Sequence, residues 1–284
     1  MEISALEFKD LTSEILNLCG IQLTEDKRYL VLQRLEPLTE RLGLASFADL
    51  VSHIRGNHNK TVREEVIAAI TTTESFFFRD NHPFDWFSQM LMPELVKRIQ
   101  QRRTLGGNQV RIWCAASSTG QEPLSLSILI KEYLEAHPTA GISTADFNLV
   151  ATDINLQVLE QAKKGEYSEW EMHRGLSDAL RNRYFQQIGP YTYKADPKLV
   201  AMVDYKHLNL TQSFTHLGQF DVIFCRNVLI YFNEATKRGI IQQFSRMLPQ
   251  EGYLVLGASE NMLGFTEFTR DIHQPTLVYR PIHH

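Results

Sequence analysis

The sequence predicts a doubly wound α/β fold with a mostly parallel sheet, preceded by a small all-helical domain. Two observations carry this. From about residue 110 onward, short continuous apolar runs alternate with helical segments, the pattern of strands buried on both faces of a parallel sheet. Before about residue 70 the apolar spacing is three or four throughout, so that region is helical.

Phe8, Leu11, Ile15 and Leu18 form one face of a first helix, and Val31, Leu35, Leu38 and Leu42 one face of a second, which Pro37 kinks. A third starts near Ser46 and buries Phe47, Leu50, Val51 and Ile54. A fourth starts at Thr61, with Glu64 completing a capping box, and runs through Val62, Val66, Ala69 and Ile70. The strands follow: VRIWCAA at 110–116, FNLVATD at 147–153, 202–206, FDVIFC at 220–225, GYLVLG at 252–257 and TLVYR at 276–280. Helices at 122–136, 156–164 and 234–247 connect them. The stretch from Gly165 to Met202 is too long for an ordinary connection. Segments 191–194 and 199–202 read there as a small antiparallel β insertion, within about 170–202. The expected division is a helical domain at 1–70, a linker at 71–85 and the α/β domain at 86–284.

Composition removes several function classes. With 29 basic and 33 acidic residues the net charge is −4, without the basic excess of a general nucleic-acid binder. Cys19, Cys114 and Cys225 lie far apart in apolar runs, as reduced thiols of a cytoplasmic protein do, and form neither a disulfide framework nor a metal site. No run approaches the roughly 18 apolar residues of a membrane span, and the N-terminus lacks a signal peptide's basic start and apolar core.

Doubly wound sheets bind ligands beyond the carboxyl ends of their strands. The first strand ends in Ala115-Ala116-Ser117-Ser118-Thr119-Gly120, small residues that either let a ligand approach the backbone or simply make a tight turn. It is neither a GxGxxG loop nor a Walker loop, and Glu122 would repel a phosphate but suit a cationic amino group. Asp153, after the second strand, can accept ribose hydroxyls or cap a helix. Asn209 and Leu210, after the third, can hold an adenine or serve as a turn residue and a core residue. After the fourth come Arg226, Asn227 and Tyr231, where amine-modifying methyltransferases place neutral acceptors. An arginine there suits a carboxylate nucleophile, already ionised at neutral pH with an ordinary pKa of about 4.3, and equally a structural ion pair.

Six segments occur in order: TTTESFFFRD at 71–80, AASSTGQEP at 115–123, ATDI at 151–154, FCRNVLIYF at 224–232, LPQEGYLVLG at 248–257, and Ser259-Glu260. Together with Gly20-Ile21 and Arg34-Leu35 they closely resemble the CheR family of chemotaxis receptor methyltransferases over essentially the whole chain. Leu124 stands where that family commonly has tyrosine, a change of packing. The resemblance implies a Rossmann-like class I fold and methyl transfer from S-adenosylmethionine (SAM) to receptor glutamates, leaving S-adenosylhomocysteine. It implies that Thr73, Ser75 and Arg79 line the cofactor pocket, with Arg79 on the SAM carboxylate. Glu122 then takes the amino group, Asp153 the ribose, and Asn209 and Leu210 the adenine, while Arg226 and Tyr231 face the reacting centre beside Asn227. A strong clamp on the substrate would stabilise the ground state, so Arg226 is expected at the rim or shared with the cofactor.

On the second helix Lys27, Arg34 and Arg41 recur every seven residues, within about 40° of one another. This row either follows the acidic face of a receptor coiled coil or is a solvated face; the resemblance favours the former. A SAM-binding regulatory module, or a methyltransferase of another protein or of RNA, remains the alternative function. Some family members grip a receptor's C-terminal pentapeptide on the β insertion through a glycine-rich, extended hairpin turn. Here Gly189-Pro190 makes the turn compact, predicting no dependence on such a tether. The chain is expected to be monomeric.

Overall fold

The structure is a computed structural model that describes residues 2–56, 59–105, 107, 109–138, 141–271 and 276–282. The terminal His283 and His284 lie outside them. Helix α1 (Ala5–Cys19) starts with a capping box, Ser4 to Glu7, and ends at Gly20 with φ 73°. It buries Phe8, Leu11, Ile15 and Cys19. Helix α2 (Arg28–Arg41) adds to the same buried core, and α3 (Phe47–Arg55), capped by Ser46 as its sequence requires, packs against α1. Helix α4 (Lys60–Ile70) differs from expectation. Its cap is Asn59, so Thr61 falls inside the first turn, and Glu64 pairs with Lys60 at 3.6 Å instead of closing a box.

Helices α5 (His82–Trp86) and α6 (Met92–Thr104), joined by a π turn, lead to the sheet. Strand β1 (Val110–Ala115), helix α7 (Gln121–Ala136), strand β2 (Phe147–Asp153) and helix α8 (Leu156–Lys164) form the first crossover units. The insertion holds β3 (Glu166–Ser168), α9 (Glu169–His173), α10 (Asp178–Tyr184), β4 (Phe185–Gly189) and β5 (Thr192–Ala195). Then come α11 (Pro197–Val200), β6 (Val203–His207), β7 (Val222–Cys225), α12 (Glu234–Met247), β8 (Tyr253–Leu256), β9 (Phe268–Arg270) and β10 (Val278–Pro281).

The seven-stranded sheet runs β6-β2-β1-β7-β8-β10-β9, and its first five strands are parallel. The order reverses beside β1, which places the ligand-binding crevice at the ends of β1, β2 and β7. Both faces are buried; on one, Trp113 packs among Phe214, Phe220 and Phe244 at 5.3–5.4 Å between ring centroids. The insertion is a separate antiparallel sheet, β3-β5-β4. Its expected strand at 199–202 is instead helix α11 and the turn after it, because Asp196 caps the segment and Pro197 sits at its first position. Pro190 lies in the two-residue turn between β4 and β5, so it removes nothing from β4's outer edge.

Candidate active site

A cleft opens at the ends of β1, β2 and β7 and is closed from above by Cys19, Ile21 and the linker after α4. The chain leaves β1 through two non-glycine residues in the left-handed region, Ala116 (φ 61°) and Ser118 (φ 50°). Such strain costs of order 1 kcal/mol each and gathers at ligand sites. Gly120 completes the turn at φ 91°, where a Cβ would stand 2.9 Å from that of Ala162. The turn is fixed at both ends: Ser118 donates its backbone N–H to Asp153 Oδ2 at 2.9 Å and its hydroxyl to the Thr73 carbonyl at 2.8 Å. Ser117 lines the cleft, and its buried hydroxyl has no partner among the described residues.

Glu74, Glu122 and Asp153 line the cleft, and burial acts on the last two. Asp153 accepts backbone N–H groups from Ser118 and Asn155, yet burial raises its pKa above the usual range. Glu122 is raised likewise by burial, against the opposing pull of Arg226. Arg226 is the largest departure from expectation. Its side chain is only 2% exposed, not at the rim. It binds Glu122 at 2.9 Å, Asp80 at 2.8 Å and the Arg79 carbonyl at 2.7 Å, so it ties the linker to α7 and to the end of β7. A buried guanidinium requires such partners; two carboxylates and a carbonyl supply them to its terminal nitrogens, while Nε has none among the described residues. Burial also pushes Cys19 up to about 11, and Cys114 and Cys225 well above the ordinary thiol value, so the three are packing residues.

Ser75, Arg79, Asn227 and Tyr231 line the same cleft. Arg79 donates to the Glu74 carbonyl at 3.0 Å. Thr73 does not face the cleft; it borders a groove on the linker's outer side. Asn209 and Leu210 also stay out of it. The Asn209 amide donates to the Leu18 carbonyl at 2.8 Å, docking α1 on the sheet, and Leu210 is buried in the core. The basic row is dispersed as well. Lys27 belongs to a 3-10 turn before α2, Arg34 donates to the Ile70 carbonyl at 2.7 Å, and Arg41 pairs with Glu65 at 3.1 Å.

One residue of the site had no role assigned from sequence. Glu260, 5% exposed, accepts the backbone N–H groups of Asn227, Val228, Leu229 and Gly257 at 2.8–2.9 Å. It holds the loop after β7 in shape, including Asn227 at φ 58° and the turn that presents Tyr231. The signal available was a carboxylate four residues beyond the end of β8 at Leu256, where side-chain pairing is invisible.

Polar groups converging on a topological switch point, without a phosphate loop, define a SAM-dependent methyltransferase once the matches are added. Residues 73–278 match the CheR methyltransferase SAM binding domain, and residues 6–71 the CheR methyltransferase all-alpha domain. The chain is 41% identical over 263 residues to chemotaxis protein methyltransferase 1 of Pseudomonas aeruginosa, covering 92% of this chain and 93% of that protein. It is 36% identical to chemotaxis protein methyltransferase Cher2 of Pseudomonas putida over 99% of each chain. To the chemotaxis protein methyltransferase of Vibrio parahaemolyticus it is 35% identical over 98% of each. The chain belongs to the CheR methyltransferase family.

Proposed function

We propose that the protein methylates glutamate side chains on the cytoplasmic helical signalling domain of chemotaxis receptors, with SAM as donor. The observation that carries the site is the pair of burial-raised carboxylates, Glu122 and Asp153, beside an unpartnered Ser117 hydroxyl. Groups of this kind fit a ligand that brings an amino cation and ribose hydroxyls. SAM supplies a methyl group activated on a cationic sulfonium. Arg79 meets the ligand carboxylate through its planar fork, Glu122 the amino group and Asp153 the ribose. Tyr231 orients one oxygen of the incoming glutamate, which is ionised at neutral pH and needs no general base. Arg226 works from behind, holding Glu122 and the linker in place. Lys27 and Arg41 are the members of the basic row left for receptor contact.

We infer further that the protein works as a cytoplasmic monomer, divided at the linker 71–85, without nucleic acid or a pentapeptide tether. Among the described residues no helix is long and apolar enough to cross a membrane. The two-residue turn at Pro190 supports the last point, since it offers no extended loop to clamp a peptide. The test is incubation with methyl-labelled SAM and receptor-rich membranes. Label on receptors released by mild base is the expected result. Base-stable label would mean another nucleophile, and no label despite SAM binding would mean a regulatory module. Clipping the receptor tail should leave the rate unchanged.

A further inference from the structure

The linker segment 74–79 has two faces. Glu74, Ser75, Phe76 and Arg79 wall the cofactor cleft. The other face is gripped by the β insertion. Arg174, which follows α9, pairs with Glu74 at 3.0 Å and lies 4.4 Å from the Phe76 ring centroid and 4.7 Å from that of Trp170. Arg79 lies 5.3 Å from the same Phe76 ring. The next residue, Gly175, has φ 80°, and a Cβ there would stand 1.8 Å from the Phe77 carbonyl oxygen, so the two backbones are in contact. Phe77 is fully buried, edge-on to Tyr167 of β3 at 5.0 Å and Phe185 of β4 at 5.3 Å.

We propose that Arg174 is a positioning residue for the cofactor site, setting the place of Arg79 through Glu74 and Phe76 and so coupling the insertion to the cleft. The guanidinium is suited to this because it pairs with a carboxylate and stacks on rings at once; an ammonium does only the former well. Coupling of this kind is reciprocal. A ligand bound in the cleft must therefore be felt at Trp170, which is 63% exposed at the outer end of the stack, whereas Trp86 and Trp113 are buried. This rests on the reading that Arg79 binds the SAM carboxylate.

The test uses the full chain and S-adenosylhomocysteine as probe. By calorimetry Arg174→Ala should weaken binding about fivefold, and Arg174→Lys by less. Without ligand, the thermal midpoint should move little, since the pair is only partly buried, with the Glu74 side chain 58% exposed. In the Arg79→Ala background, Arg174→Ala should change nothing further. Ligand should shift the tryptophan emission of the wild type, and Trp170→Phe and Arg174→Ala should each abolish that shift. Wild-type affinity in Arg174→Ala, an additive loss in the double variant, or an emission shift that survives Arg174→Ala would overturn the coupling. Should Arg174→Ala unfold the protein, Glu74→Gln in its place gives the same cycle with Arg79→Ala. Unchanged affinity in Arg79→Ala alone would instead overturn the underlying site assignment.

Discussion

Asp153 ends β2 and Glu122 sits in the first turn of α7, just past the turn that follows β1, and carboxylates so close behind apolar runs are visible without a structure. Their burial is not visible, and it fixes how the site responds to pH. Each carboxyl titrates above its usual value in the fold. The folded chain therefore binds those protons more tightly than the unfolded chain. Stability of the ligand-free protein should fall as pH rises from the unfolded values, about 4, through the folded ones. A ligand cation beside Glu122 reverses that preference, so binding should release protons and affinity should climb with pH across the same window. Calorimetry in buffers of different ionisation heat measures this; a binding heat independent of buffer throughout mildly acid pH would refute it. Glu260 is a buried carboxylate that accepts four backbone N–H groups. Glu260→Gln leaves at least one donor facing another, at a cost of about 2–4 kcal/mol. Turnover at saturating SAM should fall with it as Tyr231 loses its support. Unchanged urea unfolding and unchanged turnover would show that the loop holds itself.

The elements were legible wherever periodicity alone decides them, as in α1, α3, β1 and β2. Reading failed where one side chain competes between local roles. Thr61 and Glu64 satisfy a capping pattern, but Asn59 starts the helix earlier. The apolar run at 199–202 suits a strand, but the Asp196-Pro197 pair before it nucleates a helix. On α2 the spacing of Arg34 and Arg41 is that of a surface row, and spacing cannot reveal what lies opposite. Arg34 is committed to the chain end of α4 and to Thr72, a residue of the cleft wall. Arg34→Ala should therefore cost about 1–2 kcal/mol and weaken SAM binding. Charge reversal at Lys27 and Arg41 should spare SAM binding and slow receptor methylation, an effect that shrinks with salt as exposed charges are screened over about 8 Å. Normal methylation by the double reversal at low salt would leave Lys27 and Arg41 as a solvated face.

At the scale of the whole molecule, two regions were foreseen but not how they join, because docking depends on contacts between residues about two hundred positions apart. The end of α1 is fastened beside the loop after β7 that carries Tyr231. Ile21 bridges Phe232, and the Gln22 N–H donates to the Tyr231 carbonyl at 3.1 Å. The helical domain thus fixes the backbone of Tyr231 as well as roofing the cleft. Gly20 permits this twice over: it ends α1 at φ 73°, and a Cβ there would stand 2.4 Å from Thr211 Cγ2 and 3.1 Å from Phe232 Cδ1. Gly43 provides the control, with φ 70° and nothing within 4 Å of its would-be Cβ. Gly43→Ala should cost only the left-handed strain, about 1–2 kcal/mol, and leave catalysis alone. Gly20→Ala should cost more in thermal unfolding, raise hydrogen exchange at the Gln22 amide and lower turnover, because α1 must draw back from the loop. Equal losses in the two variants, with Gln22 still protected, would mean that Thr211 rotates aside and that docking of the helical domain does not position Tyr231.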